Sequence, residues 1–370
     1  MATVSASQDL FTERAECLEL VERIVVAEGE PDAAQVKRIC DILDKYQEQP
    51  ALIEGALPDM VARLFEPIRE IAHAARDGLD EARAEVGFRF QQVKSPKLHR
   101  VCQVLYTACK VRGAKRVVRC FPHEVADLEP ALVLLVSQDR DQYETWEIRY
   151  TLLLWLSMLA IVPFDLYTAD SSAARVAAAA AGVGATGDSA EVGADLGEGT
   201  GPTLVDSIIL QCMLYLSDSG PTREAAALCI AKMLTRPDME SSQLTVFLSH
   251  VSDRLVAFIA NAVDAPSVLE ATGLFLSLAY VFKYGSRRVL HAAVPQVMPS
   301  VVAVGNSELP QRSMLLRRLV VKVVQRVGVS YLPPRVPNWL YRRGMRSLVD
   351  NLAAAGVARS GVQPVFSAAL

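Results

Sequence analysis

The chain has 370 residues, 51% of them apolar, and its 42 acidic and 38 basic residues leave a net charge of −4. That length is too great for one compact core and calls for two or three domains or a repeat array. The near balance of charge gives no ground for a nucleic-acid partner, and a mean hydropathy of +0.22 argues for a chain that mostly folds. Asp9, Glu13, Glu16, Glu19 and Glu22 carry the wrong charge for a secretory leader. The longest apolar stretch, Tyr150–Phe164, is too short to span a bilayer. A cytoplasmic protein without a membrane span is therefore expected. Seven cysteines without a C-x-x-C pair read as buried, reduced thiols.

Helix patterns dominate. Cys17, Leu20, Val21 and Ile24 form the first stripe. Leu98, Val101, Cys102, Leu105, Ala108 and Cys109 form another, with Ser95-Pro96 as cap and first turn and Arg100, Gln103, Thr107 and Lys110 opposite. The most distinctive stretch runs from Phe121 to Leu166, FPHEVADLEPALVLLVSQDRDQYETWEIRYTLLLWLSMLAIVPFDL. Pro122 is expected near the start of a helix with Glu124 and Asp127 in its first turn, and His123 in a capping role. After a charged turn at Gln138–Gln142, a helix over Tyr150–Val162 is apolar almost all round, so most of its surface must be buried. Arg149 at its entrance is expected to snorkel to the surface or to pair with Glu144 or Glu147. Trp146, Trp155 and Trp339 read as core.

From Ala169 to Gly201 the pattern breaks into an Ala/Gly-rich stretch with Asp188, Glu191, Asp195 and Glu198 and one basic residue, Arg175. It has too little apolar surface to offset ordering entropy and is expected to be a disordered insertion, with a short helix at most through Ala173–Ala181. Gly182–Gly187 fits G-x-G-x-x-G, but poly-alanine rather than a strand precedes it, so it reads as a chance match.

Further helix starts at Thr222, at Asp264-Ala265-Pro266 and near Leu309-Pro310 are spaced by roughly 42–46 residues, the period of HEAT and armadillo units. Leu319–Val329 is strand-like in composition, but Leu316, Leu319, Val320, Val323 and Val327 keep helical spacing. No single helix here could bury its stripe alone, whereas stacked pairs could. The expected fold is all-α, an α-solenoid of HEAT/armadillo-like helical repeats. Repeats are expected over 1–166 and 204–355, with the insertion at 167–203 and an irregular tail at 356–370.

The scattered histidines (73, 99, 123, 250, 291) lack metal-ligand spacing, so neither a metal nor a cofactor is expected. The best candidate for binding is electrostatic. Between Gln311 and Arg346 the chain carries Arg312, Arg317, Arg318, Lys322, Arg326, Arg335, Arg342, Arg343 and Arg346 and no acidic residue. Arg312, Arg318, Lys322 and Arg326 are expected on one helical band. The plain reading is a solvated face; the sharper one is a surface for an acidic protein, drawn from Arg312, Arg318, Lys322, Arg326, Arg342, Arg343 and Arg346. A nucleic-acid surface would interleave aromatics, which are missing here.

FPHEVADLEP and TWEIRYTLLLWLSMLAIVPFDL resemble the tubulin-specific chaperone D (tubulin-folding cofactor D) family. So do DKYQEQP at Asp44–Pro50, KVRGAK at Lys110–Lys115, LTRPDM at Leu234–Met239, KVVQRVGVSYLPPRV at Lys322–Val336 and YRRGMRSL at Tyr341–Leu348, in the family's order. The chain looks like the N-terminal third of such proteins. The resemblance implies a solenoid without catalytic chemistry of its own that captures β-tubulin, working with tubulin-folding cofactors E and C and an Arf-like small GTPase. It also implies assembly and disassembly of the αβ-tubulin dimer, GTP hydrolysis by tubulin stimulated within the complex, and microtubule association. The rivals are an unrelated HEAT/armadillo scaffold such as a transport adaptor, against which the ordered blocks argue, and an enzyme built on the glycine-rich segment, which requires Ala169–Gly201 to be ordered, as limited proteolysis would decide. A solenoid that stops without a polar capping helix is expected to be sticky or partly unfolded alone.

Overall fold

A computed structural model of the chain describes residues 11–82, 92–163, 166, 203–240, 242–260 and 265–332. The chain divides into two compact units, Met1–Val327 and Gly328–Leu370. The second is described only at 328–332, so the fold set out here is that of the first. The insertion expected at 167–203, apart from Thr203, lies outside the described residues, as do Trp339 and the tail 356–370.

In chain order the helices are α1 (Arg14–Val26), α2 (Ala33–Lys45), α3 (Leu57–Ala82), α4 (Pro96–Ala108), α5 (Ala114–Val117), α6 (Leu128–Val136) and α7 (Trp146–Leu159). They continue as α8 (Leu204–Tyr215), α9 (Pro221–Leu234), α10 (Gln243–Ala260), α11 (Ala265–Tyr284), α12 (Arg287–Gly305), α13 (Leu309–Arg312) and α14 (Met314–Tyr331). No strand occurs among the described residues. Starts follow local chemistry. Ser95 Oγ accepts the Leu98 N–H with Pro96 in the first turn, and Thr203 and Asp206 form a reciprocal capping box on α8. Gly220, at φ 85°, turns the chain into Pro221 at the head of α9.

The helices pair across two layers: α1 with α2, α3 with α4, α6 with α7, α8 with α9, and α10 with α11. In one layer α2, α4, α7, α9 and α11 lie side by side; in the other α1 packs on α3, α3 on α6, and α10 on α12. This is the stacked-pair arrangement that the spacing of helix starts predicts. Eleven of the fourteen α7 residues are buried, because α4, α6 and α9 surround it. Each large apolar side chain so covered contributes about 1.5–3 kcal/mol.

The distinctive sequence blocks meet one another in space. Trp155 is fully buried and its Nε1–H donates to Pro122 O at 2.9 Å, while Phe65 packs against both Phe121 and Trp155. Buried Asp127 accepts from Arg69 Nε at 3.1 Å and lies 2.9 Å from His73 Nε2, tying α6 to α3. Lys110 pairs with Asp44 at 3.0 Å, and Arg236 donates to Ala160 O and Val162 O at 2.6 and 2.9 Å. Gly113, at φ 92°, ends the π-helical turn Cys109–Gly113, a conformation that favours glycine.

Several local expectations are corrected. Pro122 does not open a helix: a 3₁₀ turn over Val125–Asp127 leads into α6, and His123 is exposed without capping it. The apolar helix begins at Trp146 and ends at Leu159, short of Pro163. Arg149 neither snorkels nor pairs with an acid. It is buried and donates to Asp139 O at 2.8 Å and Gln142 O at 3.0 Å, filling acceptors that the preceding turn leaves open. Glu147 instead lies 3.4 Å from His99. The seven cysteines are free thiols, five buried and two half-buried, and burial pushes Cys17 up to about 12.

Two glycines should respond oppositely to alanine. At Gly273 an added Cβ would stand 2.2 Å from Leu216 O, just beyond the end of α8, whereas nothing lies within 4 Å of one at Gly78. Gly273→Ala should destabilise by about 1–3 kcal/mol despite better helix propensity, and Gly78→Ala should stabilise by about 0.5–1 kcal/mol. Urea titration of both variants checks the opposite signs.

Candidate partner-binding face

Where helices of one layer lie side by side, each keeps only a narrow stripe for water. Between Thr222 and Leu234 the α9 residues that are not buried are Glu224, Leu228 and Lys232, spaced by four. Between Val101 and Ala108 of α4 they are Gln103 and Tyr106, with Lys110 just beyond, and between Ala271 and Phe282 of α11 they are Leu276 and Tyr280, leading to Tyr284.

These stripes carry an aromatic ladder on α4, α7 and α11, with Glu224 of α9 between. Tyr106 of α4 meets Trp146 and Tyr150 of α7 edge-on, with ring centroids 4.5 and 5.4 Å apart. Burial pushes the Tyr150 hydroxyl well above its ordinary range. The Tyr280 hydroxyl donates to Glu224 of α9 at 2.7 Å, and Tyr280 stacks on Tyr284 at 6.1 Å. Lys283 Nζ sits 4.8 Å over the Tyr284 ring, a cation–π contact. Tyr106, Trp146 and Tyr280 are half-buried and Tyr284 is 42% exposed. Half-exposed, rigidly held aromatics of this kind are the side chains that anchor protein interfaces.

At the far end of the face the chain leaves α7 through Ile161, Val162 and Pro163, beside the last turn of α9 and Tyr284 at the end of α11. They enclose an open groove of about 710 Å³. Lys232 reaches into it, its Nζ 3.4 Å from Ser157 Oγ. Asp238, the carboxylate among the groove's lining residues, is held by Arg236 at 2.9 Å (Nε) and 2.8 Å (Nη2).

The basic residues expected from sequence are only partly gathered. Arg312 lies on single-turn α13, and Ser313, extended at φ −139°, separates it from α14, so it shares no helical band with Arg318. Arg317, Arg318 and Lys322 are exposed on α14 beside Val321, itself 62% exposed. Arg326 is half-buried and acts electrostatically on Tyr280, approaching the ladder. Arg342, Arg343 and Arg346 lie outside the described residues. The ladder itself escaped the sequence reading; its trace there is the four-residue spacing of Tyr280 and Tyr284 and the polar interruptions Glu224 and Lys232 in otherwise apolar α9.

Residues 43–255 match the family described as "Tubulin-specific chaperone D-like, ARM repeat". The chain belongs to the tubulin-specific chaperone D-like family. A second match, to that family's further ARM repeats, covers residues 315–365, so α14 opens the second block. Among curated relatives, "Tubulin-specific chaperone D" of Dictyostelium discoideum is 23% identical over 380 residues, covering 84% of this chain and 25% of that protein. "Tubulin-folding cofactor D" of Schizosaccharomyces pombe is 23% identical over 321 residues, covering 85% of this chain and 23% of its own length. The chain thus spans about a quarter of the length of the curated relatives it matches. No solved structure matches it. As a member of the chaperone D-like family, its stacked helix pairs are armadillo-type repeats.

Lys232 yields a stability prediction. Burial lowers its pKa below the ordinary 10.5. A base whose folded pKa is depressed costs stability when charged, and that cost disappears as pH rises through the unfolded value. Lys232→Met should therefore melt higher than the parent at pH 7, with the gap narrowing toward pH 10.5, in thermal unfolding followed by circular dichroism across pH.

Proposed function

We propose that this chain is part of a tubulin-folding cofactor, and that the face carrying the Tyr106–Tyr284 ladder holds β-tubulin. The observation that carries the reading is the coincidence of the family match over residues 43–255 with aromatics held by three helices of one layer, α4, α7 and α11, and joined across α9 by Glu224. A row of parallel helices offers many weak contacts on one continuous surface, which suits a client presenting a broad, partly apolar interface. The protein would act by binding, without catalytic chemistry of its own. Within the full-length protein this face would serve the assembly and disassembly of the αβ-tubulin dimer after the chaperonin step, in the cytoplasm and near microtubules. Cofactors E and C and an Arf-like small GTPase would join the same assembly. Any stimulation of GTP hydrolysis by tubulin would belong to that complex.

In pull-downs with purified tubulin, Tyr280→Ala/Tyr284→Ala should weaken capture by about tenfold while leaving far-UV circular dichroism unchanged. Capture at parental strength would remove the ladder from the function. The exposed basic residues of α14 supply an electrostatic contribution to the same encounter. Arg318→Glu/Lys322→Glu should reduce capture at low salt and flatten its salt dependence; parental behaviour at both salt levels would leave that patch as solvated surface.

A further inference from the structure

Lys232 is the outlier among the cations of this face. Lys110 is paired with Asp44, Arg140 with Asp218, Arg236 with Asp238, and Lys283 rests on tyrosine rings. Lys232 has a hydroxyl neighbour, Ser157, and among the described residues no carboxylate within ion-pair distance. Burying a charge without an opposite partner is costly, and Asp238, the carboxylate lining the groove, is bound by Arg236. Complementing the negative end of α9 does not account for the position either, because the ammonium is directed across to α7. Around it the groove is apolar on one wall, from Ile161 to Pro163, aromatic on another at Tyr284, and open to solvent.

We propose that this groove takes an acidic segment of a bound polypeptide, with a Glu or Asp carboxylate on Lys232 Nζ and a neighbouring apolar side chain between Ile161 and Tyr284. Charge complementarity selects the occupant: a cation lacking its anion, in a slot of about 710 Å³ that several residues of an extended chain can enter. Tyr284 is both the last rung of the ladder and a wall of the groove, so the segment is an extension of whatever the ladder holds. This rests on the reading that the face binds a polypeptide, and adds to it a point of charge recognition.

The test uses the full 370-residue chain and a fluorescein-labelled peptide, Glu-Glu-Leu-Glu-Glu, titrated by anisotropy at low salt. Lys232→Met should weaken binding by about tenfold, and Lys232→Arg should retain it within about threefold. Ile161→Asp, on the exposed wall and outside the core, should repel the peptide as strongly as Lys232→Met weakens it, so the result does not hang on one variant's folding. Lys37→Glu, an exposed charge reversal on α2 outside the groove, should bind as the parent does. The inference is overturned if Lys232→Met and Ile161→Asp both bind at parental strength, or if Lys37→Glu weakens binding as much as Lys232→Met does. Peptide binding that needs Lys232 in a chain that fails to capture tubulin would support the groove and sink the tubulin reading. Tubulin capture that needs Tyr280 with peptide binding indifferent to Lys232 would sink the groove alone.

Discussion

The first unit depends on the lateral packing of helices that cannot stand alone. α7 is apolar around nearly its whole circumference, so it is stable only with α4 on one side, α9 on the other and α6 behind. α9 is in the same position between α7 and α11, its run Ala225-Ala226-Ala227 thin enough to let the neighbours approach closely. Stability is therefore shared between neighbours, as in other linear arrays, where each unit gains more from the next than from itself.

That arrangement leaves each inner helix one strip of surface, and the strips align because the helices lie side by side. Glu224, Leu228 and Lys232 are what remains of α9 once its neighbours have covered the rest. The residues on such strips are under no packing demand to be tyrosine or lysine, and a half-exposed tyrosine row adds little to the core.

Buried polar groups hold the repeats in register. Arg149 clamps the turn before α7 through two carbonyls, Asp127 joins α6 to α3, and Arg236 closes the end of α7 from the end of α9. Arg149, Asp127 and Arg236 each make more than one hydrogen bond, which offsets the cost of taking their charges out of water. Four of the sequence blocks meet in pairs: DKYQEQP meets KVRGAK through Asp44 and Lys110, and LTRPDM meets the stretch ending in IVPFDL through Arg236 and Val162. Lys232 departs from this pattern: its polar neighbour is the Ser157 hydroxyl.

Local chemistry was enough to place several helix starts, though not the one expected at Pro122. Ser95-Pro96 and Gly220-Pro221 start them where capping and left-handed glycine require, and the stripes of α1, α4 and α14 are buried as their spacing implies. These features are legible because a helix face depends on residues three and four apart. The turn of Ser313, which separates Arg312 from Arg318, and the inward swing of Arg149 were not legible, since each answers to carbonyls and neighbours supplied by other segments. The ladder was hidden for the same reason: Tyr106, Tyr150 and Tyr280 are far apart in the chain and come together only when α4, α7, α9 and α11 lie in one layer. Periodicity determined that there would be faces; only the lateral register of the stack decided which side chains share one.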